Sequence, residues 1–237
     1  MTCQTSAKPM ADSSDPVELL LDAALLHVVF DGWSEATFEA AISETEIDPA
    51  LARALCPRGA ADLALAYHRR GDRLMLQRLA EEDLTGYRFR DKIAAAVRFR
   101  LEVAEDKEAV RRGTTLFALP QYAGDGLKAL WGTCDAIWNA LGDNSDDLNW
   151  YSKRTTLSGV YSATLLYWLG DDSPGHQATW EFLDRRIDNV MQFEKLKGSL
   201  RKNPLLKPLL AGPEWLAGQV KAPKPRDDMP GSQGARG

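Results

Sequence analysis

The sequence predicts an all-α protein. Apolar residues recur at helical spacing through almost all of the 237 residues, no segment alternates as a strand would, and glycine or proline stands between successive periodic runs. The clearest run is Leu127, Leu130, Trp131, Cys134, Ile137, Trp138 and Leu141, an i, i+3, i+4, i+7 series held for four turns.

Each element follows from that punctuation. A first helix over about 16–30 ends before Gly32 and a second covers 34–44. Asp48-Pro49 opens a third over 48–55, a capping carboxylate followed by proline at a first-turn position. Pro57 and Gly59 separate it from a fourth over 60–82, Gly86 precedes a fifth at 88–104, and Pro120 closes a sixth at 107–118. Gly142 divides a seventh at 122–141 from an eighth at 147–169. Pro174-Gly175 opens a ninth at 175–197, and a short helix falls within 204–219. The elements group as a polar N-terminus (1–15), a three-helix head (16–58), a helical bundle (59–202), a Leu- and Pro-rich segment (203–221) and a Pro- and Gly-rich tail (222–237), both termini expected to be disordered.

The stripe on the seventh helix needs an apolar partner. Leu157, Tyr161, Thr164, Leu165 and Trp168 form one such row, and Trp180, Leu183, Ile187, Val190 and Met191 another, so the C-terminal helices should close into an antiparallel bundle. Two readings stand for Trp131, Trp138, Trp168 and Trp180. Either the rings fill the core outright, or they are too bulky and rigid to pack without a void and enclose a cavity.

An apolar content of 44% suffices for a sizeable core. The net charge of −5 gives no general attraction to nucleic acid or anionic lipid, so any membrane contact has to be local. Cys3, Cys56 and Cys134 are few, odd in number and far apart, which suits a reducing compartment. The first sixteen residues have neither a secretory apolar core nor an Arg-rich amphipathic pattern. The apolar run Leu19 to Phe30 is short and interrupted by Asp22, well below the roughly 18–20 residues of a membrane span. The expected location is cytoplasmic, at most peripheral to a membrane.

No His-Glu-x-x-His, Cys-x-x-Cys, Gly-x-Ser-x-Gly, phosphate loop or dinucleotide fingerprint is present, so the reading is non-enzymatic, with no catalytic residue, metal or cofactor assigned. His27, His68 and His176 lack the Glu-x-x-His spacing of a di-iron bundle. Asp171, Asp172 and His176 flank Pro174-Gly175 and read as helix caps, and His68 with Arg69 and Arg70 as a solvated helix face. Three short helices before a long one and a bundle is also the layout of TetR-type transcriptional regulators, the rival reading. Residues 15–58, however, carry nine carboxylates against only Arg53 and Arg58, and the third helix offers one long polar side chain, the wrong chemistry for binding phosphates.

Asp147 to Tyr161 crowds Trp150, Tyr151, Lys153 and Arg154 beside an acidic cluster, and the apolar row of the eighth helix, projected backward, meets Arg154 and Trp150. Either these two belong to the core, with Arg154 pairing Asp146 or Asp147, or they begin a recognition surface. The segment Asn149-Trp150-Tyr151-Ser152-Lys153-Arg154 resembles the Asn-Trp-Tyr-x-[Arg/Lys]-Arg signature of the Coq-nine family of ubiquinone-biosynthesis accessory proteins. Gly32-Trp33, Cys56-Pro57-Arg58-Gly59, Ser173-Pro174 and the block Thr179 to Arg186 resemble further elements of that family in the same order, covering roughly residues 16 to 195.

The resemblance implies a TetR-regulator-like helical fold without DNA-binding chemistry, and a protein that binds an isoprenoid or polyprenyl quinone lipid and presents it to the demethoxyubiquinone hydroxylase. Trp131, Cys134, Trp138, Leu157, Tyr161, Leu165, Trp168 and Trp180 would then contact lipid, and Asp147, Trp150, Tyr151 and Arg154 would dock the hydroxylase. Leu196, Leu200, Leu205, Leu206, Leu209, Leu210 and Trp215, beside Lys195, Lys197, Arg201 and Lys202, would touch the membrane. Pro204, Pro208 and Pro213 depart from the amphipathic helix that the family places there, which makes 189–202 an alternative contact. The implied site of action is the bacterial inner membrane or the mitochondrial matrix face, and the reading is compatible with a homodimer.

Overall fold

The computed structural model describes residues 15–104, 106–143 and 148–202, with side chains described to Val190 and at Gln192 but not at Leu148 and Asn149. Among them the chain forms α1 (Pro16–Asp31), α2 (Glu35–Thr45), α3 (Pro49–Leu55), α4 (Ala60–Glu81), α5 (Phe89–Glu102), α6 (Lys107–Phe117), α7 (Ala123–Ala140), α8 (Leu148–Leu169) and α9 (Gln177–Lys202), with one 3₁₀ turn at Pro174–His176. The all-α reading and the order of its elements hold. The last helix starts two residues later than expected, after the 3₁₀ turn, and runs on to Lys202.

Local chemistry sets the boundaries. Asp15, Ser34, Asp48 and Asp106 each accept a backbone N–H in the first turn of the helix that follows, occupying donors that no helical carbonyl reaches. Gly32 ends α1 at φ 65°, where a Cβ would be strained, and its N–H returns to the Val28 carbonyl at 2.9 Å.

Two buried clusters organise the packing. One gathers Leu20, Leu21, Ala24, Val28, Trp33, Phe38, Ala41 and Leu63 from α1, α2, the turn between them and the first half of α4, with Ala109 of α6. The other gathers Met75 of α4, Val97 and Leu101 of α5, Cys134 and Ile137 of α7, Leu157 and Tyr161 of α8, and Trp180, Leu183 and Ile187 of α9. Helix α4 belongs to both and ties the three-helix head to the bundle. Antiparallel order in the bundle is visible in the cross-links. Arg154 meets Asp135 while Ser158 meets Cys134, and Arg90 meets Asp188 while Arg98 covers Trp180. Tyr167 and Phe182 stack at 4.5 Å between α8 and α9.

The Thr-Trp block is a helix start. Asp171 accepts the backbone N–H groups of Ser173 at 2.8 Å and Thr179 at 2.9 Å and the Thr179 hydroxyl at 2.5 Å, and these bonds hold its carboxyl well below the usual carboxylate range. Trp180 Nε1 donates to the Gly175 carbonyl at 2.8 Å. Asp171 is therefore the capping group that the sequence suggested.

Candidate functional site

A cavity of about 410 Å³ opens between α4, α6, α7 and α8, bounded by Trp33 on one side and by Leu101, Val103 and Ala104 on another. Small residues line much of it. Ala109 and Gly113 on α6 and Ala123, Gly126 and Ala129 on α7 form much of its wall, Gly126 letting Phe117 pack so closely that a Cβ there would lie 2.7 Å from it, with Tyr161, Leu165 and Trp168 of α8 opposite. Its size is that of pockets that enclose small ligands, and its wall is largely apolar. Leu127, 67% exposed, belongs to that wall and marks an apolar mouth.

Of the eight residues expected to contact lipid, the structure brings Tyr161, Leu165 and Trp168 to the cavity. The other five lie elsewhere. Cys134 and Leu157 are in the closely packed core, and burial pushes the Cys134 thiol up to about 11. Trp138 packs beside Phe89 with Lys153 over its face, Trp180 lies under Arg98, and Trp131 joins Trp150 and Tyr151. The reason is the antiparallel pairing: the N-terminal half of α7, rich in small residues, lies against the C-terminal half of α8. The void therefore forms there, beside Trp168, and away from Trp131, Trp138 and Trp180. Trp33, Tyr67, His68, Arg100 and Leu101 also line it. The Gly32-Trp33 turn was the available signal: Trp33 Nε1 donates to the Ala109 carbonyl at 3.1 Å and anchors α6 beside the cavity.

One stretch of wall is polar. His68 does not lie on a solvated face as its sequence neighbours suggested. Its Nε2 is 2.8 Å from the Thr133 hydroxyl and 3.2 Å from the Ala129 carbonyl, because its turn of α4 faces α7. Burial, reinforced by the Arg100 charge, pushes its pKa down to about 4, so the ring is neutral at pH 7. Arg100 is itself buried, donating from Nε to Asp72 at 2.7 Å and from Nη2 to the His68 carbonyl at 3.0 Å.

The second candidate surface is the start of α8. Arg154, expected to face a partner, has no exposed surface. It donates to Asp135 at 2.5 Å, Asp143 at 3.0 Å, Asn139 at 3.1 Å and the Trp150 carbonyl at 3.2 Å, so its fork holds the α7–α8 corner together and is not presented outward. Its carboxylate partners among the described residues are Asp135 and Asp143, while Asp146 and Asp147, to which the sequence pointed, lie outside those residues. Trp150 and Tyr151 meet edge to face at 4.7 Å and lie half-buried beside Trp131, forming an aromatic face. Asp147, Leu205, Leu206, Leu209, Leu210 and Trp215 lie outside the described residues, as do the short helix expected within 204–219, the disordered stretch expected at 222–237, all of the one expected at 1–15 except Asp15, which caps α1, and the side chains of Leu196 and Leu200.

Residues 123–194, which hold the cavity wall of α7 and α8 and this aromatic corner, match the family model described as COQ9. The chain carries a COQ9 domain. COQ9 relatives extend the likeness over most of the chain. The mitochondrial ubiquinone biosynthesis protein COQ9 of Drosophila melanogaster is 32% identical over 182 residues, 75% of this chain and 56% of that protein. Its Rattus norvegicus counterpart is 35% identical over 112 residues, 47% of this chain and 35% of the rat protein. The probable COQ9 of Dictyostelium discoideum is 26% identical over 194 residues, 77% and 62% of the two chains. The chain thus spans about half the length of the curated COQ9 relatives it matches. Among solved structures, a TetR transcriptional regulator from Nitrosomonas europaea superposes with a TM-score of 0.62 at 16% identity, over 75% of this chain and 99% of that one. That likeness establishes a TetR-like fold.

Proposed function

We propose that this chain is a non-catalytic accessory in ubiquinone biosynthesis that holds an isoprenoid or quinone lipid in the α4–α6–α7–α8 cavity and presents it to a demethoxyubiquinone hydroxylase. The observation that carries the reading is the cavity itself: about 410 Å³, a largely apolar wall and an apolar mouth at Leu127. Such a site favours the hydrocarbon part of a bilayer-resident molecule over a polar metabolite. The COQ9 relatives, each named for ubiquinone biosynthesis, supply the pathway.

The hydroxylase docks on the Trp131–Trp150–Tyr151 face, where rigid half-buried rings offer large contact area at low entropic cost. No helix among the described residues is long and apolar enough to cross a membrane, so the lipid is collected by peripheral contact at the membrane surface. The head does not compete for DNA: Arg53 is paired with Glu35 and Glu39, and Arg58 with Asp62 at 2.7 Å and Asp125 at 2.5 Å. Denaturing extraction of the purified protein followed by mass spectrometry tests the reading. Isoprenoid or quinone lipid at close to one equivalent is expected, and an extract free of hydrophobic molecules overturns it.

A further inference from the structure

The polar stretch of the cavity wall holds donors that the fold leaves unused. Arg100 commits Nε to Asp72 and Nη2 to the His68 carbonyl, but its Nη1 has no hydrogen-bond partner among the described residues. The Tyr161 hydroxyl has none there either, although Tyr161 is only 3% exposed. Neither atom is sealed away from the cavity that both side chains line. Both donors therefore reach the cavity without an acceptor from the fold, and a ligand that brings an oxygen atom to this wall meets two donors at once. The two groups are close enough for the Arg100 charge to oppose the upward push that burial gives the Tyr161 hydroxyl.

The charge balance narrows the ligand class. The Arg100 cation is matched by Asp72 at 2.7 Å, the other cationic lining residue, Arg70, is paired with Glu18 at 2.6 Å and Asp22 at 2.7 Å, and His68 is neutral. An anionic headgroup would add an uncompensated negative charge to a site whose cations are already paired. A neutral oxygen acceptor adds none.

We propose that Arg100 Nη1 and the Tyr161 hydroxyl form a carbonyl-oxygen subsite, so that the cavity selects a neutral lipid with a keto or quinone oxygen over a hydrocarbon or an anionic phospholipid. This rests on the lipid-carrier reading and adds the orientation of the ligand: oxygenated end against α5 and α8, hydrocarbon toward the mouth at Leu127. Gly71 supports the subsite by standing where a Cβ would lie 2.5 Å from Arg100 Nη1.

The test is calorimetric titration of the full-length, delipidated protein with three probes, decylubiquinone, dodecylbenzene and dodecyl phosphate, repeated with Tyr161→Phe, which keeps the ring and removes the hydroxyl. Thermal unfolding of both proteins checks that the variant folds. The wild-type chain should prefer decylubiquinone to both other probes, and Tyr161→Phe should weaken decylubiquinone about fivefold while leaving dodecylbenzene unchanged. Equal binding of decylubiquinone by wild type and Tyr161→Phe overturns the subsite, and so does a preference for dodecyl phosphate, while the carrier reading survives both. Failure of all three probes to bind overturns the two together.

Discussion

The guanidinium of Arg154 lies 3.9 Å from the centre of the Trp150 ring, which shields a cation that has no exposed surface. The arrangement places one residue inside and one at the surface. Arg154 binds the α7–α8 corner through Asp135, Asn139 and Asp143, and Trp150 covers it with a half-buried indole. A partner that grips Trp150 therefore grips the structural joint of the bundle.

Removing the cation is expected to damage the fold. Arg154→Ala leaves Asp143, whose side chain is 3% exposed, without one of its cationic partners, and should cost about 3 kcal/mol in chemical denaturation. Arg154→Lys should recover only part of this, because an ammonium does not reproduce the planar fork.

Trp150→Ala should separate docking from folding. Helicity by circular dichroism should be nearly unchanged, while affinity for the hydroxylase, read by surface plasmon resonance, should fall at least tenfold. Loss of fold on this substitution would mark Trp150 as a core residue.

Close packing at Gly71 gives a further outcome. Because Arg100 is pinned by Asp72 and the His68 carbonyl, the Cβ of Gly71→Ala displaces a guanidinium with little room to yield. The expected loss is about 1–3 kcal/mol, measured by urea unfolding.

His68 makes stability depend on pH. Burial disfavours its protonation most, Arg100 and Arg69 add to that, and Asp72 and the Ala129 carbonyl oppose it, so its folded value of about 4 lies below the ordinary 6.5. The unfolded chain binds the extra proton between those values. Stability contributed by the neutral ring is therefore fully present above about pH 6.5 and lost as pH falls toward 4, by on the order of 3 kcal/mol. Urea midpoints collected across that range should fall with pH, and His68→Gln should flatten the slope.

The sequence carries the fold well because helical periodicity and Gly/Pro punctuation are local signals. Asp48-Pro49, Gly32 and Pro174-Gly175 mark ends that the structure keeps close to their expected positions. The cavity was less legible. Large rings attract attention in a sequence, whereas much of the cavity wall comes from residues with little to show, Ala109, Gly113 and Gly126, brought together by helices far apart in the chain. Trp131 and Trp138 share the α7 stripe with Cys134, yet they serve the aromatic corner and the Phe89 contact. The sequence alone puts His68 on a solvated face and leaves Arg154 between core and recognition surface for a related reason: burial of a polar residue depends on partners such as Thr133 and Asp135 that only the tertiary fold supplies.

If lipid sits in this cavity, a side chain that fills the cavity must expel it. Ser162, half-buried on the cavity wall, allows the direct test, since Ser162→Phe fills the void without touching the Arg154 corner. The measurement is the amount of isoprenoid or quinone lipid extracted per chain from wild type and from Ser162→Phe, purified in parallel and matched in unfolding midpoint. Close to one equivalent from wild type and a several-fold smaller amount from the filled variant is the expected result. Equal amounts from the two proteins would contradict the account.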